Sequence, residues 1–335
     1  MSQLNRSRTV CALLISVTLM ALSTAPVMGQ ASSAARPGPP PPPPDPAIAY
    51  IENCALKVMN ADGSNQQLVL VAAAGICHTS PTWSPDGKQL VFASKINGPG
   101  IYVINRDGTG LRFLITVDIN QVDFSAPAWS PVPIGLQDVI AFVDAGFDGA
   151  SDLYVVNLDA TGLTNLTNSP AGEGYPSWDP LATRLVASVR PDTLIDPRPD
   201  LILYDIAYVA GQIVVTGQKN LTEVGPLANY SMHRPEWSRT IGRDQIVAKG
   251  VTTGPNDIWL VDVNDPLNPV NLTRSSKVSE NHPCWSPDDT QIVFVRSSAS
   301  RVSLYVMAAD GSGLTNIGQA KATVVQEEPD WRRNP

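Results

Sequence analysis

Six Pro-x-Trp triplets divide this chain: Pro81-Thr82-Trp83, Pro127-Ala128-Trp129, Pro176-Ser177-Trp178, Pro235-Glu236-Trp237, Pro283-Cys284-Trp285 and Pro329-Asp330-Trp331. Six of the seven tryptophans lie in them, at intervals of 46, 49, 59, 48 and 46 residues. A recurrence of this length marks a repeat architecture, in which each unit must cover its neighbour's apolar face.

Every repeat carries the same four segments. After the Pro-x-Trp comes a short β-branched run, such as Gln89 to Ser94, Arg184 to Val189 or Gln291 to Val295. A third segment alternates, as in Ile101-Tyr-Val-Ile104 and Leu304-Tyr-Val-Met307, and a fourth ends near Leu-Thr. Runs of this length and composition, bounded by turn residues, predict strands. Ser84-Pro85-Asp86-Gly87 joins the first two segments as a tight turn, and Ser286-Pro287-Asp288-Asp289 repeats it with Asp in place of Gly. Proline cannot donate to a strand ladder, so six prolines at one position predict an edge strand. In a radial array that edge is the innermost strand, and tryptophan two residues on packs between adjacent sheets.

The ends decide the count. Trp331 is followed by only four residues, and the three strands its repeat lacks occur at the start, in Ile48 to Ile51, Leu56 to Met59 and Gln67 to Val71. The expected fold is all-β: a six-bladed β-propeller of four-stranded antiparallel blades, closed by a blade shared between the two termini.

The Pro-x-Trp-Ser-Pro-Asp-Gly run at 81–87, its relative at 283–289, and the Tyr-Val…Asp-Gly elements at 102–108 and 305–311 resemble the TolB-type propeller repeat. This WD-like module also occurs in the propellers of oligopeptidases and oligogalacturonate lyases. The resemblance covers about residues 47–335 and implies the fold rather than an activity. TolB-type proteins carry an α/β domain ahead of the propeller. Here residues 1–46 read as signal and linker, so no role in the Tol envelope system is implied.

Residues 1–29 read as an export signal: Arg6 and Arg8, an apolar run from Val10 to Ala21, and small residues at Val27 and Gly29. Residues 30–46 are rich in Ala, Ser and Pro, with six consecutive prolines at 39–44, and read as a stiff polyproline spacer. The expected address is periplasmic or secreted. The chain has 31 acids and 23 bases, a net charge of −8 that becomes −10 on losing Arg6 and Arg8. That excess argues against nucleic acid and anionic membranes as partners. After cleavage no membrane insertion is expected, and a monomer is.

Three cysteines remain, Cys54, Cys77 and Cys284. A bridge between Cys54 and Cys77 would tie the closing blade to the next, and three free thiols are the alternative. Cys284, inside a Pro-x-Trp, reads as a small core residue. Asn165-Leu-Thr167, Asn220-Leu-Thr222 and Asn271-Leu-Thr273 match the glycosylation sequon, but they recur at one repeat position, which points to strand structure.

No nucleophile elbow, phosphate loop or paired-cysteine motif is present. Residues just before each Pro-x-Trp are expected to gather at one channel mouth: His78, Asp123, Glu173, Tyr175, His233, Arg234, Glu280, His282, Glu327 and Glu328. Oligogalacturonate lyases carry a metal on propeller histidines, so the resemblance admits a divalent cation on His78, His233 and His282. No other cofactor and no catalytic residue is expected. The leading function is a non-catalytic scaffold that binds a protein or peptide. The competing readings are a metal-dependent lyase or hydrolase acting on a saccharide, for which Arg234 is the single base in the set, and a carbohydrate-binding propeller, for which Tyr175 and Phe124 are the mouth aromatics.

Overall fold

A computed structural model describes residues 47–118, 125–145, 150–192, 198–318 and 324–333. They form six four-stranded antiparallel sheets. Blades are numbered here by the order of their tryptophans. Blade 1 holds Thr79–Trp83, Gln89–Ser94, Gly100–Asn105 and Arg112–Thr116. Blade 2 holds Ala128–Trp129, Val139–Ala145, Ser151–Asn157 and Thr164–Asn165. Blade 3 holds Gly172–Trp178, Arg184–Arg190, Asp200–Val209 and Gln212–Asn220. Blade 4 holds Ser231–Trp237, Gln245–Val251, Asp257–Asp262 and Val270–Asn271, and blade 5 holds Ser279–Trp285, Gln291–Ser298, Arg301–Ala308 and Thr315–Asn316.

Blade 6 takes its first strand from the C-terminal segment, Gln326–Trp331, which pairs antiparallel with Ile48–Glu52, followed by Ala55–Met59 and Gln67–Leu70. In every blade the Pro-x-Trp strand is an edge strand. No helix of the described residues is long and apolar enough to cross a membrane.

The apolar core is divided into six clusters, each lying between two neighbouring blades. Each repeat tryptophan belongs to the cluster between its own blade and the preceding one: Trp83 with Val58 and Val69 of blade 6, Trp129 with Val91 and Val103 of blade 1, and so around to Trp331 with Val293 and Val306 of blade 5. All six are at most 4 % exposed. The alternation of the second and third strands puts apolar residues on both sheet faces, because each blade packs against two neighbours.

Local chemistry matches the repeat. In blade 1, Asp86 Oδ1 accepts the Ser84 hydroxyl (2.7 Å) and the Lys88 N–H (3.0 Å). The three Asn-Leu-Thr segments tie down their blades' outer strands: the amides of Asn165, Asn220 and Asn271 donate to Asp152, Asp200 and Asp257 at 2.7, 2.9 and 2.8 Å. The long interval in blade 3 includes an extended hairpin turning at Ala210 and Gly211, both at positive φ (50° and 88°), the backbone of a type I′ turn. Its fourth strand therefore ends at Asn220, where the sequence pattern had it begin. Cys54 and Cys77 are bridged, with Cα atoms 4.2 Å apart, and the His78 N–H donates to Cys54 O (3.2 Å), joining blade 6 to the start of blade 1.

Candidate functional site

The Pro-x-Trp strands line a central cavity of about 120 Å³. A six-fold backbone feature shapes it. The residue before each proline has positive φ: Ser80 49°, Ala126 38°, Tyr175 55°, Arg234 50°, His282 53° and Glu328 52°. None is glycine, and a following proline further disfavours helical conformations, so each costs on the order of 1–2 kcal/mol. In the five blades other than blade 2 the strand register shifts at this point. That bulge lets the pre-proline residue and the triplet's middle residue both line the cavity.

Two rings result. The first is Ser80, Ala126, Tyr175, Arg234, His282 and Glu328, and the second is Thr82, Ala128, Ser177, Glu236, Cys284 and Asp330. Blades 1 and 2 contribute only small neutral side chains. The charged residues of both rings, Arg234, Glu236, Glu328 and Asp330, come from blades 4 and 6.

In the second ring Arg239 is the organiser. Its Nη2 lies 2.9 Å from Glu236 Oε1, 3.1 Å from Cys284 Sγ and 3.2 Å from Asp330 Oδ1, with its side chain 5 % exposed. Asp330 Oδ2 accepts the Trp83 N–H (2.8 Å). The Ser177 hydroxyl donates to Glu236 Oε2 (3.1 Å) and accepts the Trp237 N–H (3.0 Å). Burial raises the Glu236 carboxyl, against the pull of the Arg239 charge. Burial would lower Arg239, but the Glu236 and Asp330 carboxylates outweigh it and hold it above its usual value. Arg333 also faces this ring, lowered by burial and by Arg239 to about 10. Burial pushes the Cys284 thiol well up, so it stays protonated and is a poor nucleophile. Glu236, Cys284 and Asp330 bring three potential metal-ligand atoms within 4.8 Å, yet the Arg239 guanidinium already bonds all three groups.

In the first ring Arg234 stacks over Tyr175, its Cζ 4.2 Å from the ring centroid, and approaches Glu328 at 3.4 Å. Glu328 Oε2 also accepts the Ser80 N–H (2.6 Å). His282 Nε2 lies 3.8 Å from Glu328, too far for a hydrogen bond, and both its ring nitrogens are enclosed without a partner. Burial, then the charges of Arg234 and Lys249, lowers its pKa well below the usual value, so the ring is neutral.

The expected mouth residues separate by offset. Those one residue before proline, namely Tyr175, Arg234, His282 and Glu328, do face the channel. Those two before do not line it: His233 is half-buried and Glu327 exposed; burial, then the nearby cations, holds His233 at about 4, while partial desolvation and Glu328 raise Glu327. Those three before are enclosed in the blades. His78 has Nδ1 2.9 Å from Ser94 Oγ and Nε2 3.0 Å from Val71 O. Glu173 accepts the Ser169 hydroxyl (2.8 Å), and Glu280 meets Arg296 (3.2 Å); burial raises both carboxyls to about 7. Asp123 and Phe124 lie outside the described residues. The gathering at one mouth expected for all these positions is corrected accordingly. The three histidines are not brought together, because offsets of three, two and one residue place them in three different environments.

Sequence reading missed the second ring. Its signal was strand periodicity: if Pro and Trp face the core, the residue between them faces the channel. It also missed Arg239 and Arg333. In four blades the second residue after Trp is proline (Pro85, Pro131, Pro180, Pro287), and in blades 4 and 6 it is these two arginines. The Asp that replaces Gly in blade 5 holds one of them: Asp289, at φ 56°, accepts the Arg239 and Thr240 N–H groups at 2.7 and 2.8 Å. Lys249, in register with His233, places a second cation near Arg234.

The family described as the TolB beta propeller domain matches residues 47–190. The chain folds as a six-bladed β-propeller similar to that of TolB. TolB from Acinetobacter baumannii superposes with a TM-score of 0.66 at 20% identity, over 87% of this chain and 68% of that one. A protein solved as a TolB from Agrobacterium tumefaciens gives 0.62 at 19% identity, over 87% of this chain and all of that one. A chain of a nidogen/laminin complex gives 0.62 at 11%, over 85% and 97%. At these identities the likeness of this TolB-like propeller to solved structures is one of fold. No curated protein matches the sequence.

Proposed function

We propose that the TolB-like propeller is an exported, non-catalytic binding module that takes a protein segment or peptide into the mouth of its channel. The observation that carries this reading is the one-sided channel wall: small neutral residues on blades 1 and 2 face a fixed array of charged and aromatic groups on blades 3 to 6. Strained backbone at six ring positions marks a place where geometry is held for use. The Cys284 thiol of the array is kept protonated and is a poor nucleophile. A cavity of about 120 Å³ is smaller than the ~300–1,000 Å³ usual for small-molecule sites, and it suits a chain end or a single side chain. Export rests on residues 1–29 and is supported by the Cys54–Cys77 bridge, a chemistry of oxidising compartments. The saccharide-lyase alternative required convergent histidines, which the offsets separate.

Selection from a random peptide library against the wild type and an Ala128→Phe variant, which fills the channel, tests the reading. Enriched peptides should lose binding to the variant and be recovered intact after incubation with wild type. Failure to enrich any sequence, or equal capture by the filled variant, would refute it.

A further inference from the structure

Lys249 projects from the second strand of blade 4, beside His233 in register, and is half-buried. No carboxylate pairs with it among the described residues; its recorded electrostatic neighbours are the cation Arg234 and the two neutral histidines. A partly buried ammonium without a counter-ion is costly. Next to it, His282 keeps both ring nitrogens enclosed and unbonded. Arg234, stacked over Tyr175, bonds Glu328 Oε1 through both Nη1 and Nη2 at 3.4 Å. These groups supply N–H donors and positive charge, and of them only Arg234 already bonds a carboxylate among the described residues.

We propose that Lys249, Arg234 and His282 form a carboxylate-binding site at the channel mouth, which receives the anionic group of the bound peptide. The assignment rests on the peptide-binding reading above and names the chemistry it would recognise. A planar carboxylate offers acceptors to a guanidinium, an ammonium and an imidazole N–H at once. Glu327 and Glu328 stand on the blade 6 side, and Glu328 is already engaged by Arg234 and the Ser80 N–H, so the ligand's charge must sit toward Lys249. The free protein should respond to pH here. Burial, then Arg234, lowers Lys249 to about 8. Arg234 is the charged group that acts on it, with Arg190 of blade 3 acting on His233, Glu327 and Glu328 of blade 6 lying near Arg234, and His233 and His282 neutral. Binding of a carboxylate is therefore strongest below pH 8 and weakens by about tenfold as Lys249 deprotonates above it.

The test uses the full chain with ¹³C-lysine labelling, Lys249 being assigned by its disappearance in Lys249→Met. The probes are N-acetyl-glycyl-glycine, its C-terminal amide, and N-acetyl-aspartic acid α-amide, which separates a chain-terminal carboxylate from an acidic side chain. Lys249 should titrate near pH 8 alone and roughly one pH unit higher with a bound acid. The neutral amide should leave it unmoved. Lys249→Met should weaken acid binding by about tenfold, and Lys249→Arg should retain it. Whichever acid binds identifies the source of the carboxylate. Equal responses to acid and amide, or no response to either acid at its solubility limit, would overturn the site. Displaying the selected peptides with free and amidated termini, and with acidic side chains amidated, separates the two readings. Equal capture of all forms would keep peptide binding and remove carboxylate recognition. No capture of any peptide, with the lysine response intact, would remove peptide binding and leave the anion site.

Discussion

Arg239→Met should be among the most damaging single substitutions in the channel. The arginine is 5 % exposed and bonds Glu236, Cys284 and Asp330 at 2.9, 3.1 and 3.2 Å. Methionine fills much of the volume but leaves two carboxylates facing each other with Arg333 as the remaining cation of this ring. Removing one partner of a buried ion pair costs about 3–5 kcal/mol, because the remaining charge stays buried. For a domain of this size that corresponds to a fall in Tm of roughly 5–8 °C. The sign of the pH dependence follows from Glu236. Burial already raises its carboxyl in the native state, and loss of the Arg239 charge raises it further. A carboxyl with a raised folded pKa destabilises the fold as pH rises and is relieved as pH falls through that pKa. The deficit should thus be largest at pH 8 and shrink toward pH 5. Thermal unfolding of wild type, Arg239→Met, Glu236→Gln and the double variant, followed by near-UV circular dichroism from pH 5 to pH 8, measures both the deficit and the coupling. A variant within 1 kcal/mol of wild type at pH 8, or a deficit that grows toward pH 5, would refute the argument.

Two further outcomes follow from the blades. Replacing Cys54 and Cys77 by serine opens a link spanning 23 residues, which loop-closure entropy values at about 3 kcal/mol, and denaturant titration should show a loss of that order. Glu173, raised by burial to about 7 from a usual 4.5, penalises the fold progressively from pH 4.5 through 7. Glu173→Gln should therefore be more stable than wild type by roughly 1–3 kcal/mol at pH 8 and equal to it near pH 4; the same curve for both proteins would show that this carboxyl titrates normally.

Blade number, strand order and the role of the tryptophans were legible in the sequence because they depend on local rules that repeat. Pro-x-Trp, a β-branched run and an Asp-Gly turn state one blade, and six copies state the ring. The closing blade could be read for the same reason, since three unpartnered strands at the start complement one at the end. The site was only partly legible. Tyr175, Arg234, His282 and Glu328 were found by their place before proline. His78, Glu173 and Glu280 were grouped with them in error, because the bulge at the pre-proline residue changes which side chains face the channel. Glu236, Asp330 and Arg239 could have been suspected from strand periodicity and from the arginine standing where other repeats have proline.

The sequence by itself determined the repeat, since each blade is built by contacts between residues close in the chain. Only the tertiary structure decided that Ser177, Glu236, Cys284 and Asp330 share one cavity with Arg239, or that Lys249 is paired with no carboxylate among the described residues. Those relations join residues from different blades, and they exist only once the ring has closed and withdrawn their charges from water.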